Sequence, residues 1–406
     1  MMAITRFVAA VITLTVISGP LEAGTIYVDQ QRGTDGANGL QMIQGTSGGP
    51  VRSIARAVKT AEAGDTVYLV PTDKPYNESI VIRNKSGLPD KPIIIEGNGA
   101  VLDGAAPLQE KDWEKTGPDL YRSTTLHGNR KNIVYRLFFI FDGVVNRMGT
   151  SSKGPRTPFL SPGALQAGQW TYVESEGAFY VRTAPGKPLG SVSVPMLSNG
   201  VSLSGNCEHI LIRNLTVRHF WNDGFNIHER TRDVRFQNVR AFECGDDGLS
   251  AHEDCWIEVD GFVASGNSTG ICNINKSHSI NRNVVLFDNH GYELYLLDDS
   301  EHTFYDSIIR CGAAKSVSLL GNVRLVMENT AVFNNGTEPR YVWASGKSVL
   351  EADRLTVTGT TLCQSDGACL QIKRSIVGGY PAPDNRAGAD MSALTDMEKR
   401  LLNPGQ

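Results

Sequence analysis

Two stretches of the chain, Trp221-Asn222-Asp223-Gly224-Phe225-Asn226-Ile227-His228-Glu229 and Gly245-Asp246-Asp247-Gly248-Leu249-Ser250-Ala251-His252-Glu253, are one motif written twice. Asp223, Gly224, His228 and Glu229 recur 24 positions later as Asp247, Gly248, His252 and Glu253. The apolar residues upstream keep the same step, with Ile210, Ile212, Leu215 and Val217 becoming Val234, Phe236, Val239 and Ala241. A period in the low twenties built on strand-like alternation points to a solenoid, in which each turn of chain stacks on the last. Stacking also brings acidic and imidazole side chains into rows. One repeat therefore marks both a fold and a candidate site.

The periodicity runs from about Gly205 to Val377. Asn214, Asn238, Gly261, Asn283, Ser307, Asn329, Arg354 and Ser375 fall at equivalent positions, in steps of 21 to 25 residues. Coils of that length with several short strands each predict an all-β parallel β-helix, whose neighbouring coils hydrogen-bond along the axis at about 4.8 Å. Asn214, Asn238 and Asn283 are expected to form a turn ladder, a structural use of asparagine.

The remaining organisation follows from composition shifts. Arg6, the apolar run Phe7 to Ile17 and Gly19-Pro20 before Ala23 read as a signal peptide over 1–23, which implies a secreted, periplasmic or cell-surface protein. Residues 24–104 hold the first coils and a helix opened by Ser53, with Ile54, Ala57, Val58 and Ala61 on one face, placed to cap the open end of the stack. The period is lost over 105–196, an aromatic-rich β insertion packed on the solenoid, with strands at Tyr135 to Phe141, Gln169 to Val173 and Ala178 to Arg182. The main coils occupy 197–378, and 379–406 is a tail or cap with Leu394, Met397 and Leu401 at helical spacing. Seven scattered cysteines make neither a disulfide scaffold nor a zinc site, although Cys363 and Cys369 are spaced to close a small loop. A net charge of −4 favours no nucleic-acid partner, and no segment is long and apolar enough for a membrane span. The expected form is a monomer.

If Phe225, Ile227, Leu249 and Ala251 point inward, Asn226, His228, Ser250 and His252 point outward. The outward columns continue with Cys272 and Ile274, then with Glu293 and Tyr295. Asp223, Asp246 and Asp247 on adjacent coils raise one another's pKa or share a cation, for which calcium is the oxygen-loving candidate. His228 and His252 are the acid–base candidates near neutral pH, or hold a transition metal with Glu229 or Glu253. Trp221, Tyr292, Tyr295 and Trp256 are the aromatics available for stacking on a sugar.

These residues resemble the right-handed parallel β-helix, or pectin lyase-like, superfamily. Ala63-Gly64-Asp65-Thr66-Val67-Tyr68-Leu69, Tyr76-Asn77-Glu78, Ser86-Gly87 and Lys91-Pro92-Ile93-Ile94-Ile95 are similar to the opening of family-nine pectate lyases. In that family an Asp on one coil and an Asp-Asp-Gly-x-Asp run on the next bind calcium, and a lysine on the following coil is the base. Asp223, Asp246 and Asp247 match three of the aspartates, the fourth falls on Ser250, and the lysine falls on Cys272. Polygalacturonases share Asn222-Asp223-Gly224 and Asp246-Asp247, but their histidine position carries Thr269 here and their Arg-Ile-Lys is missing.

The resemblance implies a polysaccharide partner. The expected protein is a lyase acting on an acidic, uronate polysaccharide, with a hydrolase or a non-catalytic glycan-binding β-helix as the alternatives. In the lyase reading, Asp223, Asp246 and Asp247 hold calcium. His252 or His228 takes the proton in place of the missing lysine, and Tyr295 protonates the leaving oxygen. Asn226, Ser250, Glu293 and Trp221 contact substrate.

Overall fold

A computed structural model of the chain describes residues 23–381, apart from 47, 130, 311–314, 335–339 and 378–379. The segment read as a signal peptide, the helically spaced tail and Cys311 lie outside the described residues. Among the described residues no helix is long and apolar enough to cross a membrane.

Short strands stack coil on coil into two parallel sheets, one of nine strands and one of seventeen. The nine-stranded sheet shows why the sequence repeats. Val201, Phe225, Leu249, Ile271, Leu294, Val317 and Val342 pair in register as one column. Each is at most 1 % exposed, so the column is a row of core side chains. Across the core, where Phe225 meets Phe236, Ile212, Phe236 and Val259 form a row of the larger sheet. Burying both rows against each other is the main source of stability for such a stack.

The longest strands of the larger sheet, among them Asn206–Arg218 and Arg230–Phe242, bend where the backbone turns left-handed, at His209 and Asn214 in the first and at Asp233 and Asn238 in the second. Asn214, Asn238, Gly261, Asn283, Asp306, Asn329, Arg354 and Arg374 occupy these corners at positive φ. Asparagine and glycine suit that conformation because it costs other residues about 1–2 kcal/mol. Two of the expected equivalents, Ser307 and Ser375, stand one residue past the corner. Their hydroxyls accept the buried amides of Val284 (3.2 Å) and Leu355 (2.9 Å) on the preceding coils, which leaves Asp306 and Arg374 to make the turn. The amide ladder links Asn238 to Asn214 (2.9 Å), and Asn214 to Glu96 (2.9 Å). Asn283 instead donates to Asp260 (2.7 Å), because Gly261 interrupts the row.

A helix over Ile54–Thr60 begins at Ser53, whose hydroxyl accepts the Arg56 amide, and buries Ile54, Ala57 and Val58. Between the first coils and the main stack, residues 105–195 form two four-stranded antiparallel sheets. They enclose a core of their own around Phe139, Trp170 and Phe179. Gln169–Val173 and Ala178–Arg182 are strands as expected. Tyr135, expected in a strand, lies in a 3-10 turn over Lys131–Arg136, and the strand is only Phe139–Phe141. That turn and the loop at 151–154 lie against the solenoid, and they bring charge to the site. The six described cysteines are free thiols, Cys363 and Cys369 among them.

Candidate active site

The repeated motif places its aspartates in the turns that lead into the nine-stranded sheet. Asp223 precedes the strand Phe225–Ile227, and Asp247 opens the strand Asp247–Ala251. Asp223, Asp246 and Asp247 are all buried, with one carboxylate oxygen of each within 4.8 Å of the others. Asp223 is held on several sides: it accepts the Asp247 amide (3.0 Å) and the side-chain amides of Asn226 (2.6 Å) and Asn222 (3.1 Å).

Two cations reach this cluster from the insertion. Lys153 Nζ bonds both Asp246 and Asp247, the latter at 2.7 Å. Arg136 pairs with Asp246 at 2.8 Å. Their segments are fixed by close backbone approach at two glycines. A Cβ at Gly245 would lie 2.1 Å from the Arg136 carbonyl, and one at Gly154 would lie 2.4 Å from the His290 carbonyl. The Lys153 loop is further tied by its amide to Ser268 Oγ (2.9 Å), and Arg147 reaches the Gly266 carbonyl (2.7 Å).

The electrostatics follow from three buried acids meeting two cations. Burial and the Asp246 charge push the Asp223 carboxyl up to about 6. Burial and the same neighbour hold Asp247 well above the usual carboxylate range. Burial also works to raise Asp246, but Lys153 and Arg136 outweigh it and leave that group low. For Lys153, burial opposes the charge, yet Asp247 and Asp246 prevail and hold the ammonium well above its ordinary value. The three carboxylates titrate as a coupled set, with Asp223 and Asp247 raised and Asp246 lowered.

A cleft of about 420 Å³ opens over the cluster, lined also by Asn226, His228, His252, Cys272 and Tyr295. The His228 and His252 rings stack face to face at 4.2 Å. His228 Nδ1 lies 3.1 Å from Glu253, and His252 Nε2 lies 2.6 Å from Ser250 Oγ. Burial, then the neighbouring His228, lowers His252 to about 4, so it is a neutral imidazole at pH 7. Tyr295 stacks on Tyr292 at 4.1 Å, and burial followed by that neighbour pushes its phenol up to about 12.

Most of the residues expected from sequence meet here: Asp223, Asp246, Asp247, Asn226, His228, His252 and Tyr295 line one cleft. Ser250 is fully buried just beneath, bonded to His252. Two expected contacts do not belong to it. Glu293 falls opposite Gly270 in the register, two residues ahead of Tyr295, which takes the place beside Cys272, and its buried carboxylate binds the Asn289 amides. Trp221 turns into the insertion, half-buried against its core and edge-on to His127. Trp256 lies on the other sheet. The outward column is Asn226, Ser250, Cys272 and Tyr295, so Tyr295 continues the serine row and not the histidine row.

The donor set does not fit calcium as arranged. That ion takes six to eight oxygen ligands, whereas the facing oxygens of Asp246 and Asp247 are bonded to the Lys153 ammonium. Lys153 and Arg136 escaped the sequence reading because they lie about 70 to 110 residues upstream, outside the repeat. The only local signals were Gly154 and Gly245, whose need for close approach does not name a partner.

A family model for the right-handed β-helix region matches residues 199–362. No curated protein matches the chain in sequence. The structure of XylC in complex with xylose is similar at 12% identity, covering 84% of this chain and 70% of that one with a TM-score of 0.54. A glycoside hydrolase aligns at 11% identity over 92% and 98% of the two chains, with a TM-score of 0.49. The pectate lyase Pel9A aligns at 13% identity over 92% and 85%, with a TM-score of 0.40. At such identities the likeness is one of fold. With its coil topology, the chain folds as a right-handed parallel β-helix.

Proposed function

We propose that the cleft hydrolyses glycosidic bonds of a neutral polysaccharide, with Asp247 as the general acid and Asp223 as the base. The observation that carries this reading is the buried trio with its two cations. It sets a carboxyl held well above its usual range beside one at about 6, the combination acid–base catalysis needs. Their oxygens lie within 4.8 Å, closer than the separation of about 6.5–9.5 Å usual in inverting hydrolases. Asp247, held well above its usual range, protonates the departing oxygen. Asp223, at about 6, is mostly ionised at pH 7 and takes the proton of the attacking water. Asp246 stays charged between Lys153 and Arg136, and its charge keeps the proton on Asp247. Neutral His252 and the Tyr295 phenol line the cleft as hydrogen-bonding groups for sugar hydroxyls.

β-Elimination is less well supported because it needs a base of sufficient strength. Lys153 is locked as an ammonium by Asp247 and Asp246, His252 is too weak a base at about 4, and His228 is turned through Nδ1 to Glu253. Charge also disfavours a uronate at the reacting position. Arg136 and Lys153 are the two cations of the lining, and both are already paired with carboxylates. A uronate would therefore bring a further negative charge beside three aspartates. The similar XylC structure holds a neutral sugar, xylose.

The test is incubation with neutral and acidic polysaccharides, following both reducing ends and the ultraviolet absorbance of unsaturated products. New reducing ends from a neutral polymer, lost in Asp247→Asn, agree with this reading. Absorbance arising from polygalacturonate would instead establish elimination.

A further inference from the structure

We propose a second, non-catalytic carbohydrate-binding site on the outer face of the seventeen-stranded sheet, floored by Trp256 and His278. It takes a neutral pyranose of a polysaccharide chain. The proposal rests on the carbohydrate reading above but not on catalysis.

The register creates the floor. Trp256 and His278 are paired partners on successive coils, and both point outward. Their rings stack at 4.1 Å with planes 25° apart, so together they form a flat aromatic strip running along the stack. The Arg232 guanidinium sits 5.5 Å from the indole centroid, held by Asp254, and steadies one end. At the other end His278 Nδ1 lies 3.5 Å from Glu301. Beside the strip runs the next outward column, in which Glu258 and Ile280 are paired partners. The two columns bound a groove of about 390 Å³, within the range of small-ligand sites.

Two observations favour a sugar over a bland surface. Trp256 is 47 % and Ile280 40 % exposed, and they are the two large apolar side chains left open on this sheet's outer face among the described residues. Both lie in the same groove, where a clustered exposed patch marks binding more than chance. Its rim carries the carboxylate of Glu258, those of Asp233 and Glu301, which pair with His209 and Arg235 and with His278 and Arg324, and the Thr303 hydroxyl. That combination suits a pyranose ring, whose apolar face covers the aromatic strip and whose hydroxyls donate to carboxylates. The Glu258 carboxylate disfavours a uronate there. A groove on another sheet cannot deliver the reacting bond to Asp247, so its effect is to hold the polymer and raise local concentration.

The experiment uses the full chain carrying Asp247→Asn, so that the polymer is not consumed, with and without Trp256→Ala. Migration is measured in gels containing xylan, glucomannan, mixed-linkage glucan or polygalacturonate. Retardation by at least one neutral polymer is expected, weakened about tenfold by Trp256→Ala, equivalent to about 1.4 kcal/mol. Thermal midpoints of the two proteins should agree, because the indole is half-exposed. As a second readout, neutral oligosaccharides should alter tryptophan fluorescence in the Asp247→Asn protein and not in its Trp256→Phe derivative. Equal retardation with and without Trp256, retardation by polygalacturonate alone, or none by any neutral polymer would overturn the proposal. Failure of hydrolysis shows separately, as the absence of new reducing ends with the unsubstituted protein.

Discussion

Replacing Lys153 by methionine tests the charge balance of the site through stability alone. The methionine keeps most of the stem's volume and removes the ammonium that bonds Asp246 and Asp247. Arg136 then remains as the sole cation against three buried carboxylates. Breaking a buried pair by deleting one partner costs about 3–5 kcal/mol when the remaining charges stay ionised. They need not stay ionised at every pH. The folded variant compensates by binding one proton more than the parent, and one proton changes stability by about 1.36 kcal/mol per pH unit. Asp223 and Asp247 have folded-state pKa values raised above the unfolded ones. Stability linked to them is full below the unfolded carboxylate range and is lost as pH rises through the folded values, for Asp223 about 6. Removing Lys153 pushes this loss to higher pH and makes it larger. Between pH 6 and pH 8 the destabilisation of the variant should therefore grow by up to about 2.7 kcal/mol, two pH units at one proton. The assay is urea unfolding of both proteins at the two pH values. A penalty under about 1 kcal/mol at pH 8, or one equal at both, would refute the assignment of Lys153 as the counter-ion of the trio.

Further outcomes follow from the same geometry. Asn substitutions at Asp223 and Asp247 should each lower turnover by about 10²–10⁴-fold, measured as reducing-end release with circular dichroism as the fold control. The acid limb of the pH–rate profile should fall off near pH 6, as Asp223 takes up a proton and ceases to be a base; a profile flat through that region would remove Asp223 from the role. A chelator should leave the rate unchanged, because the oxygens that would bind calcium already hold Lys153. At the Asn238 corner, where φ is 49°, Asn238→Ala should lower stability by about 1–2 kcal/mol, with Asn238→Gly costing less, as read from thermal midpoints.

The coil architecture was readable because every coil repeats the same physical demand. An inward column such as Phe225, Leu249 and Ile271 must be apolar, and a left-handed corner such as Asn214 or Asn238 must tolerate positive φ. Demands repeated at a fixed step leave a pattern in one sequence. The same logic located Asp223, Asp246 and Asp247, which share the turns of two successive coils. It failed at Glu293, because the coil pairs Tyr295 with Cys272, a register two residues off the simple continuation that leaves Glu293 buried beside Asn289. It had no access to Lys153 and Arg136, which arrive from an aperiodic insertion through contacts made once. Cys272 stands in the outward column of the third coil, and the site's amine, Lys153, comes from the insertion. A resemblance that breaks on the third coil thus marks a site whose charges have been rearranged.

Hydrolysis is most directly tested by running the reaction on a neutral polysaccharide in heavy-oxygen water and weighing the products. The acid–base assignment of Asp247 and Asp223 predicts one solvent oxygen in the new reducing end of every cleaved chain, with the other fragment unlabelled. Products that carry no solvent oxygen and are lighter by one water, with a new double bond, would contradict it and return the site to elimination.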